Sequence, residues 1–589
     1  MTLKELQTAV KKSKLNAYIV TRSNMFIGQD LLDGENPLRA LTGFSGSAGT
    51  LVVTPDKAFL LVDGRYEIQA ARQTNPDEVK IICGRNNLLA QCLTGLFGGK
   101  PAKVGFNSFT NAVRGIERLA ERFPDIAFIP DTSQIFANNI FGRPCRVFEH
   151  KIEFCGVGRN EKIGGISSRI GSRGWGACVS ASGIGSCGCD AYLFTAADSV
   201  SWLLNIRSDA LPDTPLVRAY ALLDKEGRIT LFGDNLNFDF EPADFGVEPL
   251  AKLPRALKTY KNKTVGFDAE TTPYFFRQLF AERKIAERPL EDFCQTAKAE
   301  KNPVEISGIE AAHLRDGVAM VRFLHWLSGN WPGKTELDVV KKLHDFRAQG
   351  ENYWSESFGT IAAAGPDGAV VHYQPVAETD RKLEEGSLLL LDSGAQYFDG
   401  TTDITRTIAL GTPSPEMCDN FTLVLKAHIA LASQKFIDGT DGMSLDKIAR
   451  SPMWNEGKDY KHGTGHGVGC FLNVHEGPQN IGMYSSSYPL RKNMILSVEP
   501  GYYQEGAYGI RIENLVRVAA CEQPDFAKDF LEFKILTLCP VDKQLVNKYL
   551  MSSGEISWLN NYHKQVYERL SPFLNASEKN WLKDACSPL

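Results

Sequence analysis

At 589 residues the chain is too long for one hydrophobic core, and about three or four domains are expected. Hydrophobic content of 43% and charged content of 23% are ordinary for a soluble globular protein. A net charge of −5 gives no electrostatic reason to expect a nucleic-acid partner, and no apolar run approaches the roughly 20 residues that cross a bilayer.

In chain order, the opening Met-Thr-Leu-Lys-Glu-Leu-Gln reads as the start of an amphipathic helix rather than a signal peptide. An internal repeat follows. Asn16-Ala-Tyr-Ile-Val-Thr recurs as Asp190-Ala-Tyr-Leu-Phe-Thr, and Val104-Gly-Phe-Asn recurs as Val265-Gly-Phe-Asp. Between each pair lies a hairpin pattern, over 50–62 around Thr-Pro-Asp-Lys and over 219–232 around Asp-Lys-Glu-Gly. Each copy continues into a helical pattern, over 109–122 and 271–286. Two αβ domains of one fold, 1–150 and 151–295, are the simplest account. Neither Gly43-Phe-Ser-Gly-Ser-Ala-Gly nor Gly183-Ile-Gly-Ser-Cys-Gly has the spacing or the Lys of a phosphate loop, so these domains are expected to shape and cover a site.

The thirteen cysteines are odd in number and dispersed, which fits a reducing compartment, the cytoplasm. Cys178, Cys187 and Cys189 cluster without paired C-x-x-C spacing, and no metal site is assigned to them. A helix is expected over the segment from Gly164 to Gly188, yet Gly, Ser and Cys fill it, so an insertion or a shortened helix is expected there.

A third domain is expected over 296–540. From Val304 a helical pattern runs through Ile309, Ala312, Val318, Val321, Leu324 and Leu327, ending before Gly329. Strands and helices then alternate, with Leu388-Leu-Leu-Leu a fully buried strand that delivers Asp392 at its end. In the tail, 541–589, Trp558, Leu559, Val566, Leu570, Leu574 and Trp581 recur at near-helical spacing. They predict a helical pair docked on the third domain or on a partner subunit.

The chemistry concentrates in this third domain. Asp392 and Asp403 flank turn-forming residues and read as neighbours on a β-hairpin. Glu499 and Glu513 flank a second hairpin, broken by Gly501 and Gly506, and His466 stands in the Gly-rich run His-Gly-Thr-Gly-His-Gly-Val-Gly. Each acid alone reads as a solvated turn residue. Together, four carboxylates and a neutral imidazole match the charge of two divalent cations, which a dry site could hold only with the metals present. Oxygen-dominated ligation favours Mn²⁺ or a similar hard ion over structural Zn²⁺. Such a pair holds a water or hydroxide between its ions and acts by hydrolysis. His372 and His475, both in loop-like sequence, are candidates for proton handling and oxyanion stabilisation. His150, His313, His325, His344 and His428 lie in helical or linker patterns and are read as structural. Glycines between His462 and His466 argue against paired ligation from a helix, and His462 is assigned to the substrate pocket.

At these residues the chain resembles the Xaa-Pro aminopeptidase (aminopeptidase P) family of the methionine aminopeptidase/prolidase/creatinase group, peptidase family M24. The likeness spans nearly the whole chain and is most specific over 353–375, 388–407, 460–478 and 495–516. Trp202-Leu-Leu-Asn-Ile-Arg and Arg315-Asp-Gly-Val-Ala leading to His325-Trp326 point to the long, three-domain cytosolic form. The resemblance implies an α/β (α+β) chain: two tandem creatinase-like N-terminal domains, a pita-bread catalytic domain and a helical extension. It implies two Mn²⁺ ions held by Asp392, Asp403, His466, Glu499 and Glu513, with Asp403 and Glu513 bridging. It gives Glu499 the role of proton shuttle and puts His372 and His475 at the scissile carbonyl. His462, Tyr503 and Arg511 would line the proline side, and a homodimer is implied. Asp367 and Gly359 depart from the family's usual residues, which bears on substrate preference.

Three rivals remain. Prolidase would use the same five ligands, but it usually has one N-terminal domain. A non-catalytic peptide-binding relative and a metal-free creatinase-like hydrolase would both have lost ligands that are retained here.

Overall fold

The first occurrences of the repeated motifs lie side by side, on parallel strands Ala17–Thr21 and Ala102–Asn107 with Ala17 opposite Val104. The second occurrences do the same, Ala191–Phe194 running parallel to Thr264–Phe267 with Ala191 opposite Val265. Each pair sits inside a six-stranded mixed sheet. The first sheet is ordered Lys80–Cys83, Ala58–Val62, Thr50–Val53, Ala17–Thr21, Ala102–Asn107, Ile126–Asp131. The second is ordered Gly246–Glu248, Ile229–Phe232, Tyr220–Asp224, Ala191–Phe194, Thr264–Phe267, Ala286–Pro289. The topology matches, and the expected hairpins occupy corresponding places. These central strands are buried on both faces and need near-continuous apolar sequence, so the repeat is legible there.

The computed structural model describes residues 1–28, 30–32, 34–132, 144–171, 188–523 and 527–589. They form two compact units, Met1–Ile152 with Val157–Cys294, and Glu153–Gly156 with Gln295–Leu589. In the first unit the expected helices are Val113–Arg122 and Tyr274–Arg283, the second starting directly after Pro273. Phe109 stacks on Phe275 at 4.5 Å, and Tyr274 meets Phe106 edge-on at 5.1 Å, packing the two copies against each other. The Gly/Ser/Cys-rich segment opens within a helix, Arg159–Gly171. Cys178 and Cys187 lie outside the described residues, while Cys189 is buried.

The second unit begins with helix Pro303–Asn330. Asn302 accepts from the Val304 and Glu305 amides, Glu305 answers with a capping box, and Pro303 takes the first position, where no N–H is missed. Expected to end before Gly329, the helix runs two residues further, through Gly329 and Asn330. Its buried face packs on Leu389, Leu391 and Ile404 of the sheet Ile361–Ala364, Ser387–Ser393, Ile404–Leu410. A six-stranded sheet lies beside it in sequence, ordered Lys435–Ile437, Phe530–Ile535, Asn514–Ala520, Ile495–Val498, Gly465–Gly467, Glu476–Ile481. The tail forms the expected pair of helices, Ser553–Leu570 and Ala576–Ala585. They dock on this same unit, where Leu559, Val566, Leu570 and Leu582 join Val321, Phe421 and Val424 in one core. Among the described residues no helix is long and apolar enough to cross a membrane.

Candidate metal centre

Asp392 lies at the end of Ser387–Ser393 and Asp403 immediately before Ile404–Leu410, strands paired with Asp392 opposite Thr405. This is the expected hairpin, closed by the ladder of Ala395–Tyr397 with Gly400–Thr401. Glu499 follows Ile495–Val498 and Glu513 precedes Asn514–Ala520, with Val498 opposite Asn514. Beyond them the chain turns through the second hairpin, Gly501–Gln504 with Tyr508–Arg511. The two ladders are stitched together where the acids stand: the Glu513 amide donates to Thr405 O at 3.1 Å. The Gly-rich loop joins through the Glu499 amide, which donates to Thr464 O at 2.8 Å. Glycine is required beside His466 because a Cβ on Gly465 would meet Ser497 O at 2.0 Å, and one on Gly467 would meet Glu476 O at 2.2 Å.

Ligand atoms of Asp403, His466 and Glu513 lie within 4.8 Å of one another. His466 Nε2 is 3.5 Å from Asp403 Oδ2 and 3.6 Å from Glu499 Oε1. His466 Nδ1 donates to Gly467 O at 2.9 Å, which turns the Nε2 lone pair toward the carboxylates. Thr405 Oγ1 donates to Glu513 Oε2 at 2.7 Å, and Arg511 Nη2 donates to Asp392 Oδ2 at 2.6 Å. Those bonds hold one oxygen of each carboxylate and leave the other free. Asp392 Oδ1, Asp403 Oδ1 and Glu513 Oε1 are buried with no hydrogen-bond donor.

Burial pushes the Asp403 carboxyl well above its ordinary range, and Asp392 and Glu499 push it further. Burial and then Asp403, Glu499 and Asp392 do the same to Glu513. Glu499 is raised by burial against the pull of His466 and Arg511. Each bare buried oxygen costs about 1–3 kcal/mol unless something positive meets it. The residues therefore fit two hard divalent cations: oxygen-rich, crowded, oriented by outer hydrogen bonds, and unsatisfied on their inner side.

The three residues assigned to the substrate pocket form one chain of hydrogen bonds. Arg511 Nη1 donates to Tyr503 Oη at 2.7 Å, and Tyr503 donates to His462 Nε2 at 2.8 Å while His462 Nδ1 faces Gly463 O at 2.7 Å. Burial pushes the Tyr503 phenol up to about 12, which keeps its proton available. Arg511 also donates to Val371 O at 3.4 Å, tying in the segment that carries half-buried His372. His475 is exposed and meets the His466 ring edge-on at 4.3 Å. Next to it, Glu476 is buried between Lys298 at 3.0 Å and Lys301 at 2.6 Å. Asp367 binds Arg381 Nε at 2.7 Å, closing the loop around His372, and Gly359 O accepts from Gln374 Nε2 at 3.3 Å.

Two glycines bring that loop to the hairpin carrying Arg511. A Cβ on Gly509 would lie 1.7 Å from Gly368 O. Gly509→Ala must push these backbones apart, and about 1–3 kcal/mol of destabilisation is expected, with a fall in kcat/KM as the His372 loop shifts. Thermal denaturation and steady-state kinetics check both; unchanged values would show that the close approach is not needed.

Several supporting residues were not read from the sequence: Thr405, Ser497, Arg406, Asn514, Tyr562 and His563. Ser497 Oγ accepts from the His466 amide at 2.9 Å and donates to Glu499 Oε1 at 3.3 Å. His563 Nε2 accepts from the Val541 amide at 3.0 Å. Of these, only Thr405, Arg406, Ser497 and Asn514 had a signal, adjacency to candidate ligands.

The model of metallopeptidase family M24 matches residues 307–520, and that of the C-terminal region of peptidase M24 matches 529–589. Models of the creatinase/prolidase N-terminal domain match twice, over 3–137 and 143–305. Aminopeptidase P2 of Arabidopsis thaliana is 33% identical, covering 98% of this chain and 86% of that protein. A crystal structure described as X-prolyl aminopeptidase from Caenorhabditis elegans, a cytosolic enzyme with a di-nuclear active site, superposes with a TM-score of 0.90 at 32% identity, covering 100% of this chain and 98% of that one. Prolidase from Pyrococcus horikoshii superposes with a TM-score of 0.50 at 25% identity, covering 66% of this chain and 99% of that one.

Proposed function

The chain belongs to metallopeptidase family M24, and from that premise we propose that it is an Xaa-Pro aminopeptidase, releasing the first residue of peptides with proline second. The observation that carries this reading is the gathering of Asp403, His466 and Glu513, with ligand atoms within 4.8 Å of one another and bare buried oxygens on Asp403, Glu513 and the hairpin neighbour Asp392. Asp392, Asp403, His466, Glu499 and Glu513 would hold two divalent cations, Asp403 and Glu513 as ligands to both. Hard oxygen donors favour Mn²⁺. When bound, such ions polarise a carbonyl and lower the pKa of a water.

The chain's own residues do the rest. Glu499, at the edge of the cluster, takes the proton of the attacking water and returns it to the leaving nitrogen. His372 and His475 donate to the carbonyl oxygen as charge develops on it. Arg511, Tyr503 and His462 make a rigid polar wall on the proline side. Proline has no amide N–H and a fixed φ, so a peptidase that grips that N–H loses its hold, while a rigid pocket for the ring gains specificity.

The domain division that suits this reading is 1–150, 151–295, 296–540 and 541–589. Dispersed thiols and the cytosolic neighbour support a cytoplasmic location, and a homodimer is the expected assembly. Prolidase is disfavoured because the archaeal prolidase spans only 66% of the chain. Hydrolysis of Arg-Pro-Pro with little or none of Gly-Pro is the expected result. Strict preference for the dipeptide would overturn the assignment.

A further inference from the structure

Beneath the candidate centre lies a second polar network, fully buried and built on Arg406. Arg406 is 2% exposed, and its guanidinium has no carboxylate at ion-pair distance among the described residues. It donates instead to neutral acceptors: Glu513 O at 2.6 Å, Thr405 O at 2.9 Å, Asn514 Oδ1 at 2.8 Å, Cys539 O at 2.8 Å and Pro540 O at 3.1 Å. Asn514 Nδ2 donates to His428 Nε2 at 3.1 Å, and His428 Nδ1 donates to Val498 O at 3.1 Å. Burial and Arg406 lower the His428 imidazole to about 3, so it is neutral and its Nε2 can accept.

The backbone groups gripped here adjoin the candidate ligands. Val498 precedes Glu499, Asn514 follows Glu513, and Thr405 follows Asp403 by two residues. The network is closed from behind by one helix, Ser553–Leu570. Tyr562 Oη accepts from Arg406 Nη2 at 2.9 Å and sits 2.8 Å from Cys539 O and 3.3 Å from Asn514 Oδ1. One turn earlier, Trp558 meets the His428 ring edge-on at 6.0 Å and stacks on Tyr562 at 5.7 Å. Residues four apart share a helix face, so a single face covers both ends of the network.

A buried guanidinium without a counter-ion is costly unless every donor is used. Its geometry makes sense as a clamp, because a planar fork fixes several carbonyls at once where an apolar side chain would fix none. We propose that Tyr562, from the C-terminal helical pair, is a positioning residue for the metal centre. Its hydroxyl, with Arg406, Asn514 and His428, sets the strand ends that carry Asp403, Glu499 and Glu513. This rests on the metal-centre reading of the preceding section. The helix pair thereby acts on the affinity of the site as well as on the stability of the unit.

The test is calorimetric titration of Mn²⁺ alone into the metal-stripped full-length chain, comparing wild type, Tyr562→Phe and Val566→Ala. Val566 is buried on the same helix and makes only packing contacts, so it controls for loss of stability. Tyr562→Phe is expected to weaken Mn²⁺ binding about 10- to 100-fold, the usual effect of removing a group that orients ligands, with Val566→Ala unchanged. His428→Leu, at the far end of the network, should give the same loss if the phenylalanine variant fails to fold. Wild-type affinity in Tyr562→Phe, or equal weakening in Val566→Ala, would overturn the inference. A wild-type chain that binds no Mn²⁺ would remove the metal-centre reading itself, and this inference with it.

Discussion

Replacing Glu499 by alanine is expected to cut kcat on Arg-Pro-Pro by at least about 10²- to 10⁴-fold, the range contributed by a positioned proton-transfer group. The fold should survive. Glu499 stands just past the last residue of Ile495–Val498, and its side chain meets Ser497 and His466, so no ladder hydrogen bond depends on it. Removing it also relieves charge crowding, since Glu499 is among the groups that raise Asp403 and Glu513. Glu499→Gln separates two roles, because the amide keeps the shape and one ligand oxygen but cannot shuttle a proton. Circular dichroism with steady-state kinetics on both variants decides the matter. Turnover near the wild-type rate in either one would remove Glu499 from the chemistry.

Stripping the metals is expected to abolish turnover and lower Tm, with the difference between stripped and loaded chains widening as pH rises. In the stripped chain the carboxyls of Asp403, Glu513 and Glu499 are raised on folding, so the folded state holds protons that the unfolded state has released. Stability is then greatest below the ordinary carboxylate range and falls as pH climbs toward the raised values. Loaded chains keep the same groups ionised, and metal affinity grows as competing protons leave. At a free metal concentration of 100 Kd the gain is about 2.7 kcal/mol per site. Glu336 and Asp268, each pushed up to about 7 by burial, add a fall of the same sign, but they do so in both forms. The gap between the two forms therefore isolates the site. Thermal melts at pH 5 and pH 8, with and without Mn²⁺, measure it. Identical Tm values at pH 8 would mean that no cation relieves the buried carboxylates.

Much of this molecule is legible before folding. The repeat is readable because its motifs occupy central strands, where burial on both faces restricts the sequence to a narrow apolar vocabulary. Four of the five candidate ligands are readable because they stand at the ends of apolar strands beside turn residues, and His466 is readable from the Gly-rich run around it. The helical tail is readable from its periodicity, but its docking surface is not. The Gly/Ser/Cys-rich segment, where an insertion or a shortened helix is expected, begins inside the helix Arg159–Gly171, and its remainder, 172–187, lies outside the described residues.

What the chain order itself determined is the inventory: two copies of one αβ topology, two acid-bearing hairpins, a glycine-flanked histidine and an amphipathic tail. These depend on neighbours a few residues apart, which is the range over which backbone preference and hydrophobic period act. Orientation was decided only by the tertiary structure. Thr405 reaches Glu513 across 108 residues, Arg511 reaches Asp392 across 119, and Arg406 reaches Tyr562 across 156. A hydrogen bond needs its donor and acceptor within about 3 Å of each other. No local pattern records which distant carbonyl or carboxylate will arrive at that place, so the outer shell of the site emerges only once the strands and the terminal helices have packed.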